Sequence, residues 1–372
     1  MDTQTLIYQI ALTQIKGIGN ITARTLLAHV GNVEEIFNRN KKQLTEIPSI
    51  GTFIASQLFD GKNEAFRSAE KECEFILKNN ITPLFFTDEN YPFRLKECLD
   101  APILLYSKGN QNYNQGKFVG IVGTRKITAY GEKLCSELIK DLSQHNSDIT
   151  IVSGLAYGVD ICAHKATLES GLNTVGVLAH GLDRIYPFSH RSTAAKMVKT
   201  GSLLTEYVSD TNPDAPNFVQ RNRIVAGMID ALVVIESATK GGALITAECA
   251  NSYNRDVFAF PGNIGNEYSG GCNALIKQNK AALIECAADL EKMMGWEKQT
   301  GTNRKTIEPL LFVELTDTEK KIIDTIRVSS PVHINQLSMK LEMPMSKLSP
   351  LLIEMEFKGL LQCLPGNLYN IA

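Results

Sequence analysis

The chain has 372 residues, 44% of them hydrophobic, which is enough for two or three domains with cores of their own. Its formal net charge of -2 at pH 7 excludes a global positive field that would draw the whole molecule onto nucleic acid. Any nucleic-acid-binding site must therefore be a local basic patch. The first 20 residues show no basic segment followed by an apolar one, and no uninterrupted apolar run reaches about 18 residues, so neither export nor membrane insertion is expected.

The eight cysteines are scattered, without a C-x-x-C pair or a Cys/His cluster. This spacing argues against a structural zinc site, and we expect no metal. Several of them, such as Cys135, Cys162 and Cys249, lie in apolar stretches typical of helices, where a reduced thiol behaves as a small hydrophobe. The pattern favours a reducing, cytoplasmic compartment.

Residues 1–75 are predicted to form an all-helical domain. Two glycine turns, at 15–19 and 47–51, each precede a helical stretch. This arrangement is typical of a pair of helix-hairpin-helix motifs (a SAM-like domain), whose hairpin N–H groups and helix N-termini can bind a DNA phosphate. The alternative is a small helical module that uses its glycines only to turn, because the second hairpin has no basic side chain nearby.

Residues 76–295 change to short apolar strands that alternate with helical stretches. An extra strand is predicted at 81–86. Six core strands, mostly β-branched or aromatic, are predicted at 118–122, 150–152, 174–178, 202–205, 231–235 and 257–260. Repeated β-α units imply a mostly parallel sheet with helices on both faces, which is the doubly wound, Rossmann-like α/β class.

A polar stretch, 296–309, is predicted to be a linker, and 310–372 a winged-helix-like domain. Its helices are expected at 318–328, 333–341 and 346–358, and a hairpin at 360–371. Winged helices usually bind DNA. However, this segment holds seven acidic and six basic side chains, a net charge of -1, and its expected recognition helix is rich in leucine. The composition favours protein contact over DNA contact, and both alternatives stay open.

In doubly wound sheets the ligand site lies beyond the carboxyl ends of the strands. Glycine-rich turns follow the strands here, among them Gly123-Thr124-Arg125, Ser153-Gly154 and Lys240-Gly241-Gly242. Such turns let the backbone approach a ligand, and the helix N-termini after them offer N–H donors to anions. The G-x-G-x-x-G, Walker A, H-E-x-x-H and G-x-S-x-G patterns are absent from the sequence, so no cofactor is indicated. Asp160 and His164, four residues apart, are either an acid/base pair or a histidine held for packing.

The segment 217–227 combines two arginines, Arg221 and Arg223, with Asn222 and Phe218 at a predicted helix start. Arginine clamps phosphate and an aromatic ring offers a stacking face, which are the ingredients of sequence-tolerant single-strand binding. A salt-bridged helix start is the alternative.

Together these motifs resemble the DNA-processing protein A (DprA/Smf) family of bacterial transformation. The resemblance runs from about 80 to 290. It rests on Gly123-Thr124-Arg125, Ser153-Gly154-x-Ala156-x-Gly158-Val159-Asp160, His164, Gly181-Leu182-Asp183-x-x-Tyr186-Pro187, Arg221-Asn222-Arg223-Ile224, Gly241-Gly242-Ala243-Leu244-Ile245-Thr246-Ala247 and Pro261-Gly262-Asn263. The sequence departs from the family's Phe-Pro-x-Arg-Asn-Arg pattern in having Val219 after Phe218.

The resemblance implies a homodimeric cytoplasmic protein that coats incoming single-stranded DNA and loads RecA recombinase onto it, with no catalytic activity, the dimer forming through the Rossmann-like domain. It makes Arg125, Arg221 and Arg223 phosphate ligands that converge on one edge of the sheet, and Phe218 a base-stacking ring. The full DNA-binding set expected is Gly123, Thr124, Arg125, Ser153, Gly154, Lys165, Arg191, Phe218, Arg221, Asn222, Arg223, Lys240, Gly241 and Gly242.

Two rival functions remain. One is a nucleotide phosphoribohydrolase, a class of enzyme with a doubly wound fold and a Pro-Gly-Gly-x-Gly-Thr stretch followed by a glutamate. Residues 240–248 match this motif only loosely, because they lack the leading proline and the Gly-Thr step. A protein adaptor that contacts DNA only incidentally is the third possibility.

Overall fold

A computed structural model describes residues 2–297 and 315–371 of the chain. Its N-terminal helices are α1 (Thr3–Gln14), α2 (Asn20–Val30), α3 (Val33–Asn38), α4 (Lys41–Thr45) and α5 (Thr52–Lys78). The glycine turns join α1 to α2 and α4 to α5. Each contains the same backbone bond, from Ile18 N–H to the Ile15 carbonyl and from Ile50 N–H to the Ile47 carbonyl, both at 3.1 Å. The predicted pair of helix-hairpin-helix motifs is confirmed.

The central domain is built on a nine-stranded sheet. In chain order its strands are β1 (Thr82–Phe85), β2 (Leu104–Gly109), β3 (Lys117–Val122), β4 (Ile149–Ser153), β5 (Asn173–Val177), β6 (Ser202–Thr205), β7 (Ala231–Val234), β8 (Asp256–Ala259) and β9 (Ala282–Leu283). Their order across the sheet is β1-β2-β6-β5-β4-β3-β7-β8-β9. Pairing is parallel from β6 to β9 and antiparallel where β1 and β2 extend the other edge. The seven predicted strands are present, β2 and β9 are additional, and the doubly wound class is confirmed.

The helices of this domain are α6 (Phe93–Lys96), α7 (Ala129–His145), α8 (Val159–Glu169), α9 (Arg191–Thr200), α10 (Ala215–Gly227), α11 (Gly242–Ser252), α12 (Gly270–Lys277) and α13 (Ala287–Met293). They cover both faces, because side chains that alternate along one strand enter different cores: Phe118 packs in one apolar cluster and Val119 in another. The chain runs outward from β3 to β6 and then returns to β7, beside β3. Such a reversal opens a crevice beyond the carboxyl ends of the two strands.

The C-terminal domain contains α14 (Asp317–Ser329), β10 (Val332–His333), α15 (Ile334–Lys340), α16 (Met345–Phe357), β11 (Leu361–Leu364) and β12 (Leu368–Ile371). The three predicted helices and the hairpin are present, and β10 completes a sheet of order β10-β12-β11. The winged-helix class is confirmed. The predicted linker, 296–309, lies outside the described residues from 298 onward.

Side chains of the N-terminal helices anchor that module on the central domain. Arg24 donates from Nη1 to the carbonyls of Cys98 at 2.7 Å and Leu99 at 2.9 Å, and Glu72 accepts the Ser209 N–H at 3.0 Å. Within residues 2–297 and 315–371, no helix is both long and apolar enough to span a bilayer. The same residues contain no group of three His, Cys, Asp or Glu side chains suited to a metal ion.

Candidate nucleic-acid interface

A surface cavity of about 540 Å³ lies at the carboxyl ends of β3 and β7, where the strand order reverses. We call it the switch-point cavity. Nine of the fourteen expected site residues line it: Gly123, Thr124, Arg125, Phe218, Arg221, Asn222, Lys240, Gly241 and Gly242. Three basic side chains in this lining face a single carboxylate, Asp160. The cavity is therefore a local positive site on a chain whose net charge is -2.

The turn that carries Arg125 is fixed by backbone contacts on both sides. The Thr124 N–H donates to the Glu236 carbonyl at 2.7 Å, and its carbonyl accepts the Val159 N–H at 3.1 Å. Gly158 has φ +77°, and a Cβ built there would lie 2.1 Å from the Thr124 oxygen. Only glycine permits both this conformation and this approach, so Gly158 allows the β3 turn and the start of α8 to meet.

Arg125 is exposed and stands over the ring of Phe218, with its guanidinium carbon 5.2 Å from the ring centroid. No described carboxylate lies within 4.0 Å of this guanidinium. Phe218 is half-buried, and its centroid lies 5.9 Å from that of Tyr186, which is 46% exposed. An unpaired cation beside two accessible rings matches the combination that binds a phosphate and stacks a base.

Arg221 is in the cavity wall but is a structural side chain. It is only 4% exposed and donates from Nη1 to the carbonyl of Gly154 at 2.5 Å and to that of Val177. Burial lowers the pKa of Arg221, while the charge of nearby Asp160 opposes that shift. Burial likewise raises the pKa of Asp160, against the effect of Arg221. The guanidinium thus holds β4, β5 and α10 together beneath the cavity.

Arg223 lies outside the cavity, which corrects the expected convergence of three arginines. Its Nη2 is paired with Glu206, its Nη1 donates to the Asp100 carbonyl at 2.9 Å, and its side chain is 11% exposed. Arg221 and Arg223 stand two residues apart on α10, so they project from different sides of the helix. They also lie in its second and third turns rather than at its start, since α10 begins at Ala215. The salt-bridged alternative describes Arg223.

Lys240 and the N-terminus of α11 complete the opposite side of the cavity. Lys240 is exposed, and Gly241, Gly242 and Ala243 line the cavity where α11 begins. The first N–H groups of a helix have no acceptor within it, so they are available to an anion. Asn222 reaches across from α10 and donates to the Gly242 carbonyl at 3.5 Å.

The remaining expected residues serve different purposes. Ser153 is fully buried and donates to the Ile121 carbonyl at 2.6 Å, while the Gly154 carbonyl accepts from Arg221. Both support the cavity from below. Lys165 and Arg191 are exposed but do not line it: Lys165 borders a neighbouring cavity that also includes Arg125, and Arg191 stands 5.8 Å from the centroid of Phe188.

Asp160 and His164 do not form a pair. Asp160 accepts the N–H groups of Gly154 at 3.1 Å and Ala156 at 3.4 Å, which fixes the turn after β4. His164 is completely buried and bonds through Nδ1 to the Thr174 hydroxyl at 2.7 Å. Burial lowers the pKa of His164 to about 3, which keeps the ring neutral. The packing alternative is therefore correct for this histidine.

Sequence reasoning missed three exposed rings and one cation, of which Tyr186 lines the switch-point cavity and Tyr157 and Lys126 line the neighbouring cavity. Tyr157, Tyr186 and Phe188 are 50%, 46% and 74% exposed, and Lys126 follows Arg125 on the same turn. The sequence signal for these rings was the presence of large aromatic residues in the turns after β4 and β5. Turns usually consist of small or polar residues, so exposed aromatic residues there indicate a binding surface.

The wing of the C-terminal domain is packed against the central domain. The Asn367 amide donates to the Asn254 carbonyl at 3.1 Å, and Asn254 donates to the Asn335 side chain at 2.9 Å. Arg255 and His333, both buried, are joined through Nη1 and Nε2 at 3.2 Å. A wing held in this way is not free to enter a DNA groove, which favours the protein-contact alternative for this domain.

The fold and the cavity define a doubly wound α/β protein with a positively charged cavity at its switch point, flanked by a helix-hairpin-helix module and a winged helix. A family model described as DNA recombination-mediator protein A matches residues 82–295. A DprA winged helix domain matches 312–367, and a SAM-like helix-hairpin-helix tandem matches 10–59. The chain belongs to the DprA/Smf family.

Individual relatives agree with this assignment. Protein Smf of Synechocystis sp. is 31% identical and aligns over 98% of each chain. DNA processing protein DprA of Bacillus subtilis is 37% identical over 55% of this chain and 69% of its own. The X-ray structure of DprA from Streptococcus pneumoniae matches 78% of this chain and 98% of its own at 29% identity, with a TM-score of 0.66. A second structure is that of DNA processing protein A from Helicobacter pylori, solved to describe how that protein binds single-stranded DNA. It matches 59% of this chain and 97% of its own at 27% identity, with a TM-score of 0.53.

Proposed function

We propose that this chain binds single-stranded DNA in the switch-point cavity. The observation that carries the proposal is the exposed Arg125 guanidinium, free of any described carboxylate and placed over the ring of Phe218 at the mouth of a positive cavity. Arg125, Lys240 and the first N–H groups of α11 would hold phosphate oxygens, and Phe218 with Tyr186 would stack bases. The unstacked bases of a single strand can reach such rings, whereas those of a duplex cannot.

The proposal extends to the biological role that family membership supports. The DNA-bound protein would protect an incoming strand during natural transformation and load RecA recombinase onto it. We also infer a homodimer that forms through the Rossmann-like domain. A dimer could bind one DNA strand with both of its cavities. Once the first cavity is occupied, the effective concentration of that strand at the second cavity is raised. Light scattering coupled to size exclusion tests the dimer, and a RecA strand-exchange assay with single-strand-binding protein present tests loading.

The binding experiment is a fluorescence-anisotropy titration of labelled oligo-dT at several salt concentrations, with a duplex of equal length as the control. We expect binding to the single strand that weakens with salt, since phosphate contacts release counterions. No binding to oligo-dT at low salt would refute the proposal and favour the adaptor. Release of free base from AMP by the purified protein would instead establish the phosphoribohydrolase alternative.

A further inference from the structure

Helices α7 and α8 each contribute a cysteine to the contact between them. Cys135 on α7 is fully buried in an apolar cluster, and the half-buried Cys162 on α8 packs against that cluster. The Cys162 sulfur lies 4.0 Å from the carbonyl oxygen of Glu132, which is one turn before Cys135. Side chains of a helix lean back over the preceding turn, so the Cys135 thiol lies on the same side of α7, next to Cys162 at the helix contact.

Cys162 is also accessible from solvent. It lines a surface cavity of about 500 Å³, next to the switch-point cavity, together with Arg125, Lys126 and Lys165. Small solutes can thus reach its sulfur through a surface that carries these three cations and two carboxylates, Glu132 and Glu169. Nearby cations and partial exposure are the conditions under which a cysteine is reactive, since the thiolate is the nucleophile.

The two sulfurs differ in acidity in a way that assigns their roles. Contact with the Cys135 thiol lowers the pKa of the Cys162 thiol, as does the charge of Lys165, whereas burial and the charge of Glu132 act in the opposite direction. The pKa of Cys135 is raised well above its usual value by the same contact and by burial. An accessible, acidic thiol with a buried partner beside it is the arrangement of a reactive cysteine and its resolving cysteine.

We propose that Cys162 and Cys135 form a peroxide-responsive dithiol in the surface next to the DNA site. The Cys162 thiolate attacks one oxygen of hydrogen peroxide, the O–O bond breaks, and hydroxide leaves and takes a proton to become water. The sulfenic acid so formed is attacked by the Cys135 sulfur. The S–O bond then breaks, the second oxygen leaves as water with the Cys135 proton, and a disulfide remains. Two electrons pass from the two thiols to the peroxide.

The chemical test uses the reduced full chain, treated with hydrogen peroxide, blocked with N-ethylmaleimide and digested for mass spectrometry. We expect a peptide that joins Cys135 to Cys162 as the main cross-linked product. In Cys135→Ser the oxidation should stop at a sulfenic acid on Cys162, which dimedone traps. Cys286→Ser, which removes an exposed thiol elsewhere, should leave the cross-link unchanged.

Two results would overturn the dithiol. One is a Cys162 that stays free for maleimide under conditions that oxidise Cys286. The other is a mixture of disulfides in which the Cys135–Cys162 pair is no more frequent than other pairs. Both outcomes are read from the wild-type chain, so they do not depend on the folding of a variant.

A consequence for binding rests on the proposed function. A covalent bond brings the sulfurs closer than a non-bonded contact does and shifts α7 against α8, whose preceding turns carry Arg125 and Gly158. We expect the oxidised chain to bind oligo-dT about threefold to tenfold more weakly, the loss of part of one charge-assisted contact. Equal affinity of the oxidised and reduced forms would refute this coupling, whereas a reduced form that does not bind at all would refute the proposed function and leave the cross-link result intact.

Discussion

Replacing Arg125 and Arg221 by alanine, one at a time, separates the proposed DNA-binding arginine from the structural one. The sequence gives both residues the same predicted role, but the structure exposes Arg125 and leaves Arg221 only 4% exposed beneath the cavity. Arg125→Ala should therefore change DNA affinity and not stability. Arg221→Ala should mainly lower the free energy of unfolding.

The magnitudes follow from the contacts. Arg125 is exposed, and its side chain stands over the Phe218 ring without a carboxylate partner among the described residues, so its removal should lower the free energy of unfolding by less than about 1 kcal/mol. Loss of its bond to a phosphate should weaken oligo-dT binding about tenfold to a hundredfold, and should reduce the slope of log K against log salt by about 0.7. Arg221→Ala leaves two buried carbonyls and Asp160 without their cation, which should cost about 3 to 5 kcal/mol of unfolding free energy.

The assay is urea denaturation of each variant followed by anisotropy titration at four salt concentrations. Arg67→Ala is the matched control, because Arg67 is an exposed arginine on α5 of the N-terminal module and its loss changes net charge equally. An unchanged salt slope for Arg125→Ala, or a stable Arg221→Ala with weakened binding, would refute the division of roles.

Four further predictions test the site, the packing of the fold and the docking of the winged helix. Phe218→Ala should weaken oligo-dT binding by about 1 to 3 kcal/mol with an unchanged salt slope, and a loss of only a few tenths would make the ring a packing residue. Gly154→Ala should destabilise the fold by about 1 to 3 kcal/mol, since its Cβ would lie 2.2 Å from Arg221 Nη1. Gly61→Ala, in mid-helix with only an ordinary contact, should instead stabilise it in the same melting experiment. Burial lowers the pKa of His333 from 6.5 to about 3, so its contribution to winged-helix docking is complete above pH 6.5 and is lost as the pH falls toward 3. Fluorescence of the single tryptophan, which lines that interface, should report the loss, and an identical pH profile for His333→Asn would contradict this origin.

The fold was predictable because its signals are local and repeated. Each core strand is a short run rich in β-branched residues, and each intervening segment is long enough for a helix. The mostly parallel, doubly wound class therefore followed from the alternation of strands and helices along the chain. β2 was missed because it is an antiparallel extension of the sheet and follows no β-α unit, and β9 because it has only two residues. The place of the switch-point cavity was predictable as well, since the switch point follows from the doubly wound class and the glycine turns from the sequence.

The roles of individual arginines were not predictable, because a sequence does not show which carboxylate or carbonyl each guanidinium meets. Arg223 pairs with Glu206, which lies 17 residues earlier and directly follows β6, and Arg221 donates to two backbone carbonyls. A buried guanidinium must be satisfied in this way, since an unpaired charge in the interior is far costlier than a paired one.

This requirement explains how a slightly acidic chain can present a cationic site. Arginines that the fold needs are neutralised where they are buried, as Arg223 is by Glu206, so they add little to the field outside. Those without such partners, with Arg125 first among them, act on solvent at full charge. The cavity is then positive because of which cations remain unpaired and not because of how many there are. Counting the arginines of a closely spaced motif therefore overestimates the number of phosphate ligands in the folded chain. The number of exposed, unpaired guanidinium groups is the better guide to the salt dependence of binding.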